Sequence, residues 1–115
     1  MSATTGPASP ITTHILDTSR GRPAAGVPIE LRMREPDGKW LTLGSGVTDS
    51  DGRLKTLHPG PLSPGIYELV FAIGDTFPDA FYPEARVAFC VRDASAHYHI
   101  PLLLSPFGYS TYRGS

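Results

Sequence analysis

Histidine is the one side chain whose unperturbed pKa lies near neutral pH, so His14, His58, His97 and His99 are the first candidates for proton-transfer chemistry in this chain. His14 sits among apolar and β-branched neighbours in Ile11-Thr12-Thr13-His14-Ile15-Leu16-Asp17. Taken alone, it reads most simply as a histidine bonded to backbone. His58, beside Pro59-Gly60, reads as a surface residue. His97 and His99 stand two apart, which on a strand turns both rings to one side. That spacing supplies half of a metal site. Zinc takes three or four ligands, and no cysteine or carboxylate stands near, so a metal is disfavoured and no cofactor is expected. Arg53 follows Asp49-Ser50-Asp51-Gly52 and alone reads as a solvated arginine or the partner of a nearby aspartate. The acidic cluster resembles part of a calcium loop but lacks its closing glutamate. The chain carries no phosphate-cradling glycine loop, no Gly-x-Ser-x-Gly elbow and no cysteine in an activating motif.

The elements that must position these residues are strands. Gly and Pro each occur 12 times in 115 residues and fall between short apolar runs, a pattern that punctuates strands and disfavours helices. Strands are predicted over Ile11–Asp17, Val27–Met33, Trp40–Val47, Arg53–Leu57, Ile66–Phe71, Arg86–Val91, His97–Leu104 and Tyr109–Tyr112, with turn chemistry between them. Val27, Ile29, Leu31 and Met33 alternate with Pro28, Glu30 and Arg32, the period of a half-buried strand. Gly74–Tyr82 is the one place for a short helix, and Pro78 limits it. Eight short strands at regular spacing imply an all-β sandwich or barrel.

Parity along His97–Leu104 sorts its side chains. His97, His99, Pro101 and Leu103 share one face; Tyr98, Ile100, Leu102 and Leu104 share the other. Two histidines are costly in a sandwich interior, so the aromatic-aliphatic face turns inward and the histidine face outward, toward solvent or another subunit. Pro101 lacks an N–H, which assigns it to a sheet edge or an irregularity.

The length fits one domain over 10–115 after a disordered lead-in at 1–9. A net charge of −1 argues against nucleic acid and gives no attraction to an anionic membrane. No apolar stretch reaches the ~20 residues that span a bilayer, and Met1–Pro10 lacks the pattern of a signal peptide. The lone Cys90 excludes an intrachain disulfide and suits a reducing compartment, so a cytoplasmic protein is expected. The end of the chain is unusual. Ser105-Pro106-Phe107-Gly108-Tyr109-Ser110-Thr111-Tyr112-Arg113-Gly114-Ser115 stays aromatic and specific to its last residue, where chain ends are ordinarily bland, which implies that it docks.

Three blocks together resemble the 5-hydroxyisourate hydrolases, the enzymatic relatives of transthyretin. They are Thr13-His14-Ile15-Leu16-Asp17 with Gly21-Arg22-Pro23-Ala24; Thr48-Asp49-Ser50-Asp51-Gly52-Arg53; and His97-Tyr98-His99-Ile100-Pro101-Leu102-Leu103-Leu104-Ser105-Pro106 running into Tyr112-Arg113-Gly114-Ser115. The terminal Tyr-Arg-Gly-Ser is the most specific, since the hormone carriers lack it. Ile15 and Ile100 stand where valine is common. The resemblance implies a transthyretin-like, eight-stranded, two-sheet sandwich with one short helix, assembled as a homotetramer, a dimer of dimers with active sites in the cleft between dimers. It implies hydrolytic ring opening of 5-hydroxyisourate to 2-oxo-4-hydroxy-4-carboxy-5-ureidoimidazoline in urate degradation, without cofactor. It assigns His14, Arg53, His99 and Ser115 to catalysis, with Tyr112 joining His14, Arg53 and Ser115 around the substrate. His97 maps to no catalytic position and is kept as a structural or supporting residue. Two rivals stand beside this reading: a carrier of a small hydrophobic ligand in the same channel, and an interaction module on a sandwich fold.

Overall fold

The computed structural model describes residues 9–115. In chain order the elements are β1 (Ile11–Asp17), β2 (Arg22–Pro23), β3 (Pro28–Arg34), β4 (Trp40–Val47), β5 (Arg53–Leu54), β6 (Gly65–Phe71), α1 (Ile73–Thr76), β7 (Ala85–Val91), β8 (Tyr98–Ser105) and β9 (Gly108–Thr111). They form two sheets. In the first, β8 lies between β1 and β9, and both β2 and β5 pair along the far edge of β1; the second runs β4-β3-β6-β7. The β1–β8 pair is parallel, aligning Thr12 with His99 and His14 with Pro101, and the remaining pairs are antiparallel.

The all-β two-sheet sandwich with one short helix is thus the observed architecture. Each predicted strand is present, and a ninth, the two-residue β2, lies inside the turn that follows β1. The predicted Arg53–Leu57 strand is shorter than expected. Only Arg53 and Leu54 pair with β1; beyond them the chain turns Leu57 into the core, 3% exposed. Its carbonyl passes where a Cβ on Gly44 would stand, only 1.7 Å away, so β4 tolerates only glycine at that point. The helix is one turn and ends before Phe77, whose φ of −122° is that of a residue held out of the helical region by the proline after it.

The core lies between the sheets and is made by alternation. Ile11, Thr13 and Ile15 of β1 are fully buried, as are Leu31 of β3, Leu69 and Phe71 of β6, and Leu102 of β8. Each such large apolar side chain contributes about 1.5–3 kcal/mol relative to exposure. The inward face expected for β8 is observed: Tyr98, Ile100, Leu102 and Leu104 are all buried. Pro101 is not at an edge, because β8 is an interior strand. It occupies an irregularity, between the β8–β9 ladder, which stops at Leu102 and Thr111, and an isolated bridge joining His99 to Gly114. Its carbonyl is satisfied by the Thr111 hydroxyl at 2.7 Å.

Ser9 departs from the expected lead-in. It is buried, its N–H donates to the Lys55 carbonyl (2.9 Å), and its hydroxyl accepts from the Ile11 and His58 N–H groups. Residues 1–8 of that expectation lie outside the described residues.

Candidate active site on the outer face of the first sheet

The residues that point away from the core on β1 are Thr12, His14 and Leu16, because Ile11, Thr13, Ile15 and Asp17 take the inward positions. Register brings the other candidates to this outer face. β5 pairs His14 with Arg53, and β8 pairs Thr12 with His99. Strand alternation and ladder register alone therefore gather His14, Arg53 and His99, which lie as much as 85 residues apart, onto one patch.

Arg53 is delivered by the Thr48–Arg53 turn. The Asp49 carboxylate accepts the N–H groups of Asp51 (2.9 Å) and Arg53 (3.0 Å), and Asp49 and Arg53 exchange a further backbone bond. These bonds, that from Arg53 foremost, hold the Asp49 carboxyl below its ordinary pKa. Gly52 closes the turn at φ +72°, and a Cβ there would meet the Ile15 carbonyl at 2.5 Å. Both its conformation and its contact with β1 require glycine. The acidic motif that resembled a calcium loop is thus a backbone clamp on Arg53. Among the described residues no three His, Cys, Asp or Glu side chains converge as a metal would require.

The chain end docks as its composition implied. Arg113 stacks over the Tyr98 ring, 4.6 Å from its centroid, and the Gly114 N–H donates to the His99 carbonyl at 2.8 Å. Those two anchors put Ser115 beside His99. A cleft of about 280 Å³ opens there, lined by Thr12, Thr13, Arg53, Lys55, His97, His99 and Ser115.

Of the residues singled out in the sequence, Arg53, His99 and Ser115 line this cleft directly. His14 stands beside it as the ladder partner of Arg53. Tyr112 is exposed and is not part of the lining in a single chain. His97, kept as a supporting residue, lies in the cleft wall and meets the Thr12 hydroxyl at 3.1 Å. Sequence reasoning missed Thr12 and Lys55. Both were legible by parity, since Thr12 is two residues before His14 and Lys55 two after Arg53.

The electrostatics favour neutral imidazoles. Burial pushes the His14 pKa down, and Arg53 pushes it further; Asp49 and Asp51 oppose this. His99 is likewise lowered by burial first, then by Arg53, His14 and His97. Two bases held neutral beside a guanidinium and a hydroxyl form a set able to deprotonate water and stabilise an oxyanion.

Comparison with known proteins agrees with this fold. Residues 11–114 match the model described as transthyretin, HIUase/Transthyretin family. The 5-hydroxyisourate hydrolase 2 of Rhizobium meliloti is 48% identical over 119 residues, covering 91% of this chain and 95% of that protein. The structure of Klebsiella pneumoniae 5-hydroxyisourate hydrolase superposes with a TM-score of 0.79 at 39% identity, over 91% of this chain and 98% of that one. Sea bream transthyretin in complex with thyroxine superposes with a TM-score of 0.84 at 31% identity, over 92% and 95%. Backbone likeness alone does not separate enzyme from carrier, whereas sequence identity leans toward the hydrolases. With nearly its whole length matched and its polar motifs converging on one sheet face, this chain belongs to the HIUase/Transthyretin family.

Proposed function

We propose that this chain is a 5-hydroxyisourate hydrolase that opens the six-membered ring of its substrate as a step of urate degradation, using His14, Arg53, His99 and Ser115. The observation that carries the reading is the shared outer face of β1, β5 and β8, where two neutral imidazoles, a guanidinium and the docked chain end meet. In the reaction, water adds to a ring carbonyl and the ring C–N bond breaks. A neutral imidazole of the His14–His99 pair takes the proton of the attacking water, and the same proton is returned to the departing nitrogen. Arg53 offers a planar fork of donors to a planar, electron-rich heterocycle and stabilises the oxyanion that develops on the carbonyl. Ser115, through its hydroxyl, orients the water or a histidine. Tyr112 approaches the substrate once a neighbouring subunit closes the cleft. The chemistry needs no cofactor.

A homotetramer, built as a dimer of dimers, is part of this proposal. In a single chain the cleft opens to solvent, and Tyr82, Tyr109 and Tyr112 are exposed, aromatic surface suited to burial between subunits. The exposed thiol of Cys90 suits a reducing, cytoplasmic setting. The carrier alternative requires an apolar wall; this face instead presents His14, Arg53, Lys55, His99 and Ser115.

An absorbance time course with freshly generated 5-hydroxyisourate tests the assignment. Wild type should remove the substrate band faster than its spontaneous decay, and His99→Ala and a chain lacking Ser115 should abolish the gain. A folded wild-type protein that leaves the decay unaccelerated would refute the hydrolase and bring the carrier reading forward.

A further inference from the structure

The Thr12 hydroxyl lies 2.8 Å from His99 Nδ1 and 3.1 Å from His97 Nε2, and has no other hydrogen-bond partner among the described residues. Thr12 is 7% exposed, so this oxygen is not freely exchanged for water. A hydroxyl carries one proton and accepts others. Between two neutral imidazoles it therefore donates to one ring and accepts from the other. If it donates to His97 Nε2, His99 Nδ1–H donates to it, and the lone pair of His99 sits on Nε2. If it donates to His99 Nδ1, the cleft histidine carries its proton on Nε2 and cannot act as a base there.

We propose that Thr12 is a positioning residue that sets the His99 tautomer and relays its proton to His97. The relay balances without any co-reactant. His99 Nε2 takes a proton from the attacking water as its Nδ1–H passes to the Thr12 oxygen and the Thr12 hydroxyl proton passes to His97 Nε2. His99 ends neutral with its proton on Nε2, Thr12 is restored, and His97 holds the extra charge as imidazolium. The reverse movement returns a proton for the leaving nitrogen. The positive charge would otherwise rest on His99, next to Arg53, Lys55 and His14. Moving the charge to His97, which is exposed, lets solvent stabilise it. The lowered pKa of His99, set first by burial and then by Arg53, His14 and His97, runs in the same direction.

This inference rests on His99 acting as a base, and the test separates the two ideas. Thr12→Val keeps the β-branched shape and removes the hydroxyl; Thr12→Ser keeps the hydroxyl. Thr12→Val should lower kcat about 10- to 100-fold with KM nearly unchanged, and Thr12→Ser should recover most of that loss. Imidazole ring ¹⁵N shifts should report one His99 tautomer, protonated at Nδ1, in wild type and a mixture in Thr12→Val. His97→Ala should lower kcat and be rescued by added imidazole, which takes the relayed proton. His97→Ala is also the decisive variant if Thr12→Val does not fold. Wild-type kcat and unchanged tautomer in folded Thr12→Val, with activity lost in His99→Ala, overturns the relay alone. Full activity in His99→Ala overturns both ideas.

Discussion

Gly114→Ala isolates the contribution of the docked chain end. Gly114 has no positive φ, so alanine meets no backbone strain there and acts only through its Cβ. That Cβ would stand 2.7 Å from His99 Cδ2, 3.2 Å from Pro101 Cγ and 3.4 Å from His99 Cγ. Carbon atoms pack comfortably at about 3.5–4.0 Å, so either the ring or the tail must move by about 1 Å. The ring is held by Thr12 and by an interior strand. The tail is held by one backbone hydrogen bond, worth about 0.5–1.5 kcal/mol, and one cation–π contact, worth about 0.5–1 kcal/mol at an exposed site. The tail therefore yields and carries Ser115 out of register with His99. A displacement of about 1 Å in a catalytic group can cost on the order of 100-fold in rate, or about 2.7 kcal/mol. Steady-state decay of 5-hydroxyisourate should show kcat/KM for Gly114→Ala falling to near that of the chain lacking Ser115, with Tm within about 3 °C of wild type because the tail lies outside the core. Wild-type kcat/KM in this variant would refute the placement of Ser115 by the Gly114–His99 contact.

Activity should fall on acidification along a limb whose midpoint lies below the ordinary imidazole value of 6.5, since both His14 and His99 are depressed and must be neutral to accept a proton; a pH profile of kcat/KM checks it, and the midpoint belongs to the pair. The linkage has a definite sign: the unfolded chain binds these protons more readily, so stability is intact above 6.5 and is lost as pH falls through the lower folded-state values, as chemical denaturation at a series of pH values would show. Arg53→Lys should keep the charge but lose the planar fork, lowering kcat/KM by about 10-fold or more in the same decay assay. Gly44→Ala should destabilise by about 3 kcal/mol or more in urea denaturation, because its Cβ would lie 1.7 Å from the Leu57 carbonyl oxygen and two backbone segments must part.

What the sequence determined is everything that follows from local periodicity. Alternation in Tyr98–Leu104 decides which side chains face the core before any partner strand is known, because successive residues point to opposite faces of whatever sheet they join. Turn residues bound the strands for the same local reason, and the composition of the last residues indicated a tail that docks. The sequence could not decide pairing. That β8 lies inside a sheet, parallel to β1, depends on contacts between segments some 85 residues apart, so the sequence leaves Pro101 at an edge or an irregularity and the structure has only the irregularity. Ser9 falls in a stretch whose composition marks a polar lead-in, yet its hydroxyl accepts from the backbone N–H groups of Ile11 and His58, two segments distant in sequence, a role no local pattern announces. The site shows the same division. Parity alone turned His99 outward, but bringing it to the Thr12 hydroxyl and the docked end, and Arg53 to His14, required the ladder registers of β1 with β5 and β8. Register is a property of paired backbones, set by the packing of both sheets, and tertiary structure alone decides it.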